Sequence, residues 1–446
     1  MFAAAENHSL EAMTPVVVLC HSEKPGLDGQ GWTNVAKETP GFRQSPPIPA
    51  TPASSCDKAL LQSSSRWQEI DGLRGAAILL VVGKHYGFGQ LTGPSEAFGV
   101  RLFNRLCPML SGVDLFFVLT GYLLGGQLLD SLGKPRVHTK FYLRRACRTF
   151  PLYYLVLLAF SASVLTGEMR LVSFDLDVKW PFGTPWSLVA YALFVQNFLV
   201  AVQGYLGPAW LMVTWSLATQ EQFYLLLPCL LRLSPRHVLG YVLVGLFLSG
   251  PLSRLALACV LPAWSLNTCD GLLFCRTDSL GIGVLVAWLL RQEGARNLLM
   301  KYRKYFSPLA IVLFAGTCLL AYFKLVLGSR ALFVCGHTLL AVLYMDIVLI
   351  ACFAADSMWG RVLRIRPLGE LGRISYGVFL LHLIIRDLLF RGVLGITPTR
   401  NGWEHWLPTL VAFLLTVMVA EISWRFLERP IIGWAKSTWP RSNHDR

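Results

Sequence analysis

Charged residues are scarce in this chain. Asp, Glu, Lys and Arg make up 15% of its 446 residues, where an ordinary soluble domain carries about 25%. Hydrophobic residues reach 54%, more apolar surface than one core can hide, which excludes a cytosolic enzyme and a disordered chain. The 11 cysteines show no CxxC and no metal-ligand spacing, so a disulfide scaffold and a zinc module lack their signature and no metal is expected. Most of those cysteines fall in apolar stretches and read as packing residues. Cys269 and Cys275 share one expected external loop, where a pairing is open but not favoured. There is no internal repeat of 20–50 residues and no basic–aromatic stripe of a nucleic-acid binder.

Acidic residues are the scarcer kind of charge: Asp+Glu number 26 against 40 Lys+Arg, a net +14. In so apolar a chain the excess reads as the positive-inside bias of cytoplasmic loops. Residues 1–66 differ in composition, rich in Ser, Pro, Gly and Lys, and read as a flexible cytoplasmic tail. Their apolar run Val16-Val17-Val18-Leu19-Cys20 is shorter than the 7–15 residues of a signal-peptide core, and Met13 is an alternative start.

From Trp67 onward, apolar segments alternate with short polar joints. A hydrocarbon core of about 30 Å asks for roughly 20 helical residues per crossing. Eleven candidates lie near 75–92, 109–129, 149–166, 187–203, 210–231, 238–262, 278–290, 308–326, 331–355, 374–392 and 405–427. Basic loops follow the second and seventh candidates, and further basic stretches carry Arg361, Arg364, Arg366 and Arg373, then Arg425, Arg429, Lys436 and Arg441. All fall on one side only if 187–203 does not cross. The expectation is therefore an all-α polytopic membrane helix bundle of about ten transmembrane helices plus one re-entrant or surface segment. It places both termini in the cytoplasm, the membrane domain at 67–430 and a short tail at 431–446. Eleven crossings with opposed ends is the alternative.

A charge at mid-bilayer costs about 2.5–3.5 kcal/mol on insertion scales, so each one needs a partner or a task. Arg74 and His85 are eleven residues apart, close to three whole turns, and so share one helix face about 16 Å apart along the axis. Arg74 then stands at the cytoplasmic mouth and His85 near mid-bilayer. Imidazole is suited to taking a proton from a hydroxyl at neutral pH; a hydrogen-bonded structural histidine is the plainer reading. Lys84 points about 100° away from His85. Asp114, in Gly112-Val113-Asp114-Leu115-Phe116-Phe117, is either a partner for a catalytic cation or half of a packing ion pair. Arg144, Arg145 and Arg148 crowd a cytoplasmic helix entrance, where guanidinium groups suit phosphate and where topology alone also places arginine. Glu221 lies within the 210–231 segment beside Gln220, and His382 lies about two turns inside its own segment. Asp346 has no motif around it and reads as structural.

Six motifs occur together. They are Asp71-Gly72-Leu73-Arg74 with His85; Gly112 to Phe117; Arg144-Arg145 with Pro151-Leu152-Tyr153; Trp215-Ser216-Leu217 with Gln222-Phe223-Tyr224; Ser375-Tyr376 with His382; and Glu428-Arg429-Pro430. In this order, from about Asp71 to Pro430, the chain resembles the acyltransferase 3 family of multi-pass membrane O-acyltransferases. The resemblance implies transfer of an acyl group, usually acetyl, from cytoplasmic acyl-CoA (acetyl-CoA) to a hydroxyl on a surface or lipid-linked carbohydrate. It makes the positions of Arg74 and His85 essential. The cytoplasmic basic block Arg144, Arg145 and Arg148 is where the CoA phosphates are expected, with Gln220, Arg276, Asp278, Tyr376 and His382 in supporting roles. Three departures stand out: Gln220 replaces a customary Glu, Lys84 an apolar residue and Thr120 a Ser. With only a short stretch after Pro430, the expectation is the stand-alone form without an esterase-like domain.

The expected mechanism is direct transfer, with His85 as general base oriented by an intramembrane carboxylate, Asp114 or Glu221. A proton-coupled exporter of a lipid-linked sugar is the rival, because intramembrane His, Asp and Glu also build proton relays.

Overall fold

The computed structural model describes residues 55–86, 111–132, 137–165, 185–204, 207–322, 324–353, 357–396 and 406–438. Among them there is no strand; the apolar runs are helices, as they must be where lipid offers the backbone no hydrogen bond. The first helix, α1 (Ser55–Tyr86), begins well inside the segment expected to be a tail; residues 1–54 and 439–446 lie outside the described residues. After it come α2 (Gly112–Ser131) and α3 (Val137–Leu165), then α4 (Pro185–Ala192) and α5 (Gln196–Gln203), α6 (Thr214–Leu233), α7 (Leu239–Val260) and α8 (Thr277–Leu289). The second half holds α9 (Glu293–Tyr302), α10 (Phe306–Tyr322), α11 (Lys324–Phe353), α12 (Arg366–Arg373), α13 (Ser375–Asp387), α14 (Trp406–Ser423) and α15 (Arg429–Thr438).

Six stretches are long and apolar enough to cross a membrane: Gly112–Ser131, His138–Leu165, Leu239–Val260, Glu293–Leu320, Arg330–Phe353 and Trp406–Thr438. A seventh is the pair Arg366–Arg373 and Ser375–Val393, bent by 77° at its break, if the two are taken as one span. The expected ten crossings are not reached among the described residues, and the reasons are local. Helix α8 has 13 residues, about 20 Å of rise, against a hydrocarbon core of about 30 Å. Helix α6 carries the polar run Gln220-Glu221-Gln222 and a basic Arg232 in its last turn. The segment 187–203, expected to be re-entrant or on the surface, is two eight-residue helices broken around Phe194, whose φ is +56°.

Helix α1 lies between two apolar clusters. Its Ile70, Leu73 and Ala77 pack with Leu115, Val118 and Leu119 of α2 and with residues of α8 and α11. Farther along, Ile78, Val81, Val82 and Tyr86 pack with Val378, Leu380, Leu381 and Ile384 of α13. Two close approaches fix its neighbours. A Cβ at Gly372 would collide with the Asp71 carbonyl, so α12 crosses α1 backbone to backbone beside Arg74. A Cβ at Gly121 would collide with the Leu280 carbonyl, which seats α2 directly on α8. Cys269 and Cys275 are both buried free thiols, so the open pairing is not made.

Candidate active site

The inward face of α1 meets α13 at two levels. Near one end, Arg74 donates from Nη1 to Asp71 Oδ1 at 3.2 Å and from Nη2 to Ser375 Oγ at 2.9 Å. Farther along, His85 Nδ1 and His382 Nε2 are 2.9 Å apart, with the rings stacked at 5.0 Å between centroids. Ser375 and His382 are seven residues apart, two turns of α13, and therefore share a face. The helical phase expected of Arg74 and His85 thus has a matching phase on the partner helix.

Three more bonds tie this second level together. Tyr86 donates its hydroxyl to the His382 carbonyl at 2.6 Å and lies 2.9 Å from Thr416 Oγ1 of α14. Arg386 Nη1 donates to the His85 carbonyl at 2.7 Å. His382 itself is fully buried, with Nδ1 2.7 Å from the Phe379 carbonyl.

The Arg74 level gathers a second set of groups. Arg145 and Arg148 of α3 sit within electrostatic range of Arg74; three apart, they share a face of α3 with Thr149. Arg145 lies over the Tyr224 ring at 5.9 Å, and Tyr224 donates to Gln220 Oε1 at 3.0 Å. Glu221 is hydrogen-bonded to Thr149 and feels the charge of Arg145. Tyr376 donates to the Thr149 carbonyl at 2.6 Å. Glu428, buried, accepts from Ser423 at 3.1 Å and faces Arg148 and Arg74. Arg148 makes no hydrogen bond or ion pair to any described residue, which leaves its guanidinium donors for something else. Arg144 is half-buried one position before Arg145 and points about 100° away from it.

Asp114 lies elsewhere. Its buried carboxylate accepts from Arg276 Nη1 at 2.9 Å and from Ser279 Oγ at 3.0 Å, and its second oxygen is 3.4 Å from His337 Nδ1. Arg276 also pairs with Asp270 at 2.7 Å, bonds His337 and lies over the Trp215 ring at 5.7 Å. Beside it, Asp278 is held bidentately by the fully buried Arg254, at 2.6 and 3.2 Å. Arg254 also donates to Thr338 and to the carbonyls of Val334 and Cys275.

Asp114 and Glu221, expected to orient His85, are found with other partners. Asp114 is held by Arg276, Ser279 and His337, Glu221 by Thr149 and Arg145, and the ring that His85 meets is His382. Of the expected residues, Arg74, Arg145, Arg148, Gln220, Glu221 and Tyr376 gather at one level and His85 with His382 at the other. Asp114, Arg276 and Asp278 form a separate buried network. Sequence reasoning missed Arg254, His337, Tyr86 and Arg386. A search for every charge inside an apolar run would have found Arg254 and His337.

A family model for an acyltransferase domain, acyltransferase 3, matches residues 67–425. The chain belongs to the acyltransferase 3 family. Among curated relatives, the peptidoglycan O-acetyltransferase OatA of Listeria monocytogenes is 26% identical over 372 residues, covering 81% of this chain and 55% of the relative. YrhL of Bacillus subtilis, provisionally named a peptidoglycan O-acetyltransferase, is 25% identical over 386 residues, 81% of this chain and 54% of the relative. A Staphylococcus aureus protein provisionally named an O-acetyltransferase is 24% identical over 399 residues, covering 83% and 59%. The chain spans just over half the length of these acyltransferase 3 relatives. No solved structure matches the chain. Family membership and the apolar helices make it a multi-pass membrane protein.

Proposed function

We propose that this chain is a membrane O-acyltransferase that moves an acyl group, acetyl first among them, from acyl-CoA to a hydroxyl of a carbohydrate or lipid-linked acceptor. The observation that carries the reading is the convergence of Arg74, Arg145 and Arg148 at one end of the α1–α13 seam. Guanidinium forks bind phosphate bidentately, and Arg148 commits no donor to any described residue. On this reading the Arg74 end faces the cytoplasm and receives the CoA phosphates. Both termini lie on that side.

His85 stands about 16 Å farther along the same helix, a distance that the pantetheine arm bridges. It takes the proton of the acceptor hydroxyl as the new C–O bond forms. The C–S bond breaks, and the imidazolium returns that proton to the CoA thiolate. The named relatives support acetyl as the group and a cell-wall carbohydrate as the class of acceptor.

The test is incubation of the purified chain, and of membranes containing it, with labelled acetyl-CoA, followed by mass spectrometry of the product. His85→Ala should abolish transfer. Arg145→Glu with Arg148→Glu should raise KM for acetyl-CoA at least about tenfold, the loss of roughly one charge-assisted contact. An unchanged KM in a folded double variant refutes the donor site. Strict dependence on a transmembrane ion gradient would point to an exporter instead.

A further inference from the structure

Acid–base sites that use histidine commonly hold its second ring nitrogen with a carboxylate, which fixes the tautomer. Here that place is taken by a second imidazole, and its protons can be assigned. The Phe379 carbonyl can only accept, so His382 Nδ1, 2.7 Å away, carries its hydrogen. A ring pair that is to take up the acceptor's proton starts out neutral; the charges at this corner are the Arg386 guanidinium, bonded to the His85 carbonyl, and the buried Asp387 carboxylate 3.6 Å from it. A neutral His382 then has only a lone pair on Nε2. It accepts from His85 Nδ1–H at 2.9 Å, which puts the His85 lone pair on Nε2.

The geometry points to His382 as the positioning residue of the transfer reaction: it fixes His85 in the Nδ1–H tautomer and so presents Nε2 as the base. The inference rests on the acyl-transfer reading of His85. The rest of the seam fits this task. Tyr86 holds the His382 carbonyl, Arg386 holds the His85 carbonyl, and Thr416 braces the Tyr86 hydroxyl. Both imidazoles therefore sit on backbones tied across α1 and α13, and the ring-to-ring bond is preorganised before substrate arrives. Positioning a base this way needs no intramembrane carboxylate, which agrees with Asp114 and Glu221 having other partners.

The test compares His382→Leu and His382→Gln with the unaltered chain in lipid nanodiscs, reading kcat, KM for acetyl-CoA and the ¹⁵N resonances of His85. His382→Leu should lower kcat by about a hundredfold or more, the scale of a general base, while KM for acetyl-CoA stays unchanged. His85 in that variant should shift to the Nε2–H tautomer. His382→Gln, whose Oε1 can accept from Nδ1–H, should recover most of the lost kcat. A folded His382→Leu chain with kcat near that of the unaltered chain overturns the inference, as does finding the Nε2–H tautomer of His85 in the unaltered chain. That second measurement needs neither turnover nor a folded variant. A chain that transfers no acetyl group at all would count against the acyl-transfer reading, and the tautomer would still decide the role of His382.

Discussion

Replacing Asp114 by Asn separates an architectural role from a chemical one. The Asp114–Arg276 contact is 2.9 Å with both side chains buried. At an effective dielectric of about 20 the gross Coulomb attraction at that distance is about 6 kcal/mol. Breaking one side of a buried pair costs about 3–5 kcal/mol net, most of it the penalty of the charge left behind. Asp270 still holds Arg276 at 2.7 Å after the change, so the cost should fall at the lower end, about 3 kcal/mol. Thermal unfolding of purified Asp114→Asn in detergent should show a clearly lowered melting temperature. Turnover per folded molecule should stay within about threefold, well short of the 10²–10⁴ that removing an acid–base group costs. An unchanged melting temperature with turnover down a hundredfold or more would refute the reasoning and return Asp114 to the chemistry.

Two further predictions concern buried charge. Arg254→Met or Asp278→Leu alone strands a fully buried partner and should cost about 3–5 kcal/mol, whereas the double replacement should recover most of it; additive losses in a double-mutant cycle of thermal stability would argue against a direct pair. Asp346 is fully buried with neither carboxylate oxygen hydrogen-bonded among the described residues. Asp346→Leu should therefore raise stability by about 1–3 kcal/mol, the desolvation penalty of an unmade bond, and a lower melting temperature would contradict that.

The axial placement of Arg74 and His85 was legible because helical phase is a local property: eleven residues bring a side chain back to nearly the same azimuth whatever surrounds it. The same arithmetic applies to Ser375 and His382, although that the two seams face each other is a matter of packing between α1 and α13, 297 residues apart at the histidine pair. The partner of Asp114 was not legible for a similar reason. Its candidates all lay in other helices, and only the seating of α2 on α8, where Gly121 lets the backbones touch, brings Arg276 and Ser279 to it. Among the described residues the ten expected crossings go unconfirmed at elements whose length or polarity departs from a standard span, α8 by being short and α6 by its Gln-Glu-Gln run. The broken segment at Phe194 was legible only indirectly, through the parity of the basic loops.

Two clusters of arginine and acid lie in this bundle, and their hydrogen bonds tell them apart. Arg254 and Arg276 commit their donors to carboxylates, carbonyls, a hydroxyl and an imidazole of the chain itself, leaving little for a ligand to replace. Around Arg148 the acids are satisfied differently: Glu221 by the Thr149 hydroxyl and Glu428 by the Ser423 hydroxyl. The carboxylates there lower the local positive potential without occupying the Arg148 fork. A half-buried guanidinium has lost part of its hydration, and a phosphate would repay that loss with two charge-assisted bonds. Saturation makes the first cluster a fastening between helices. The Arg148 donors, which no described residue takes, set the second cluster apart; on the proposed reading they receive the anionic donor, about 16 Å along the same α1 face from the histidine pair.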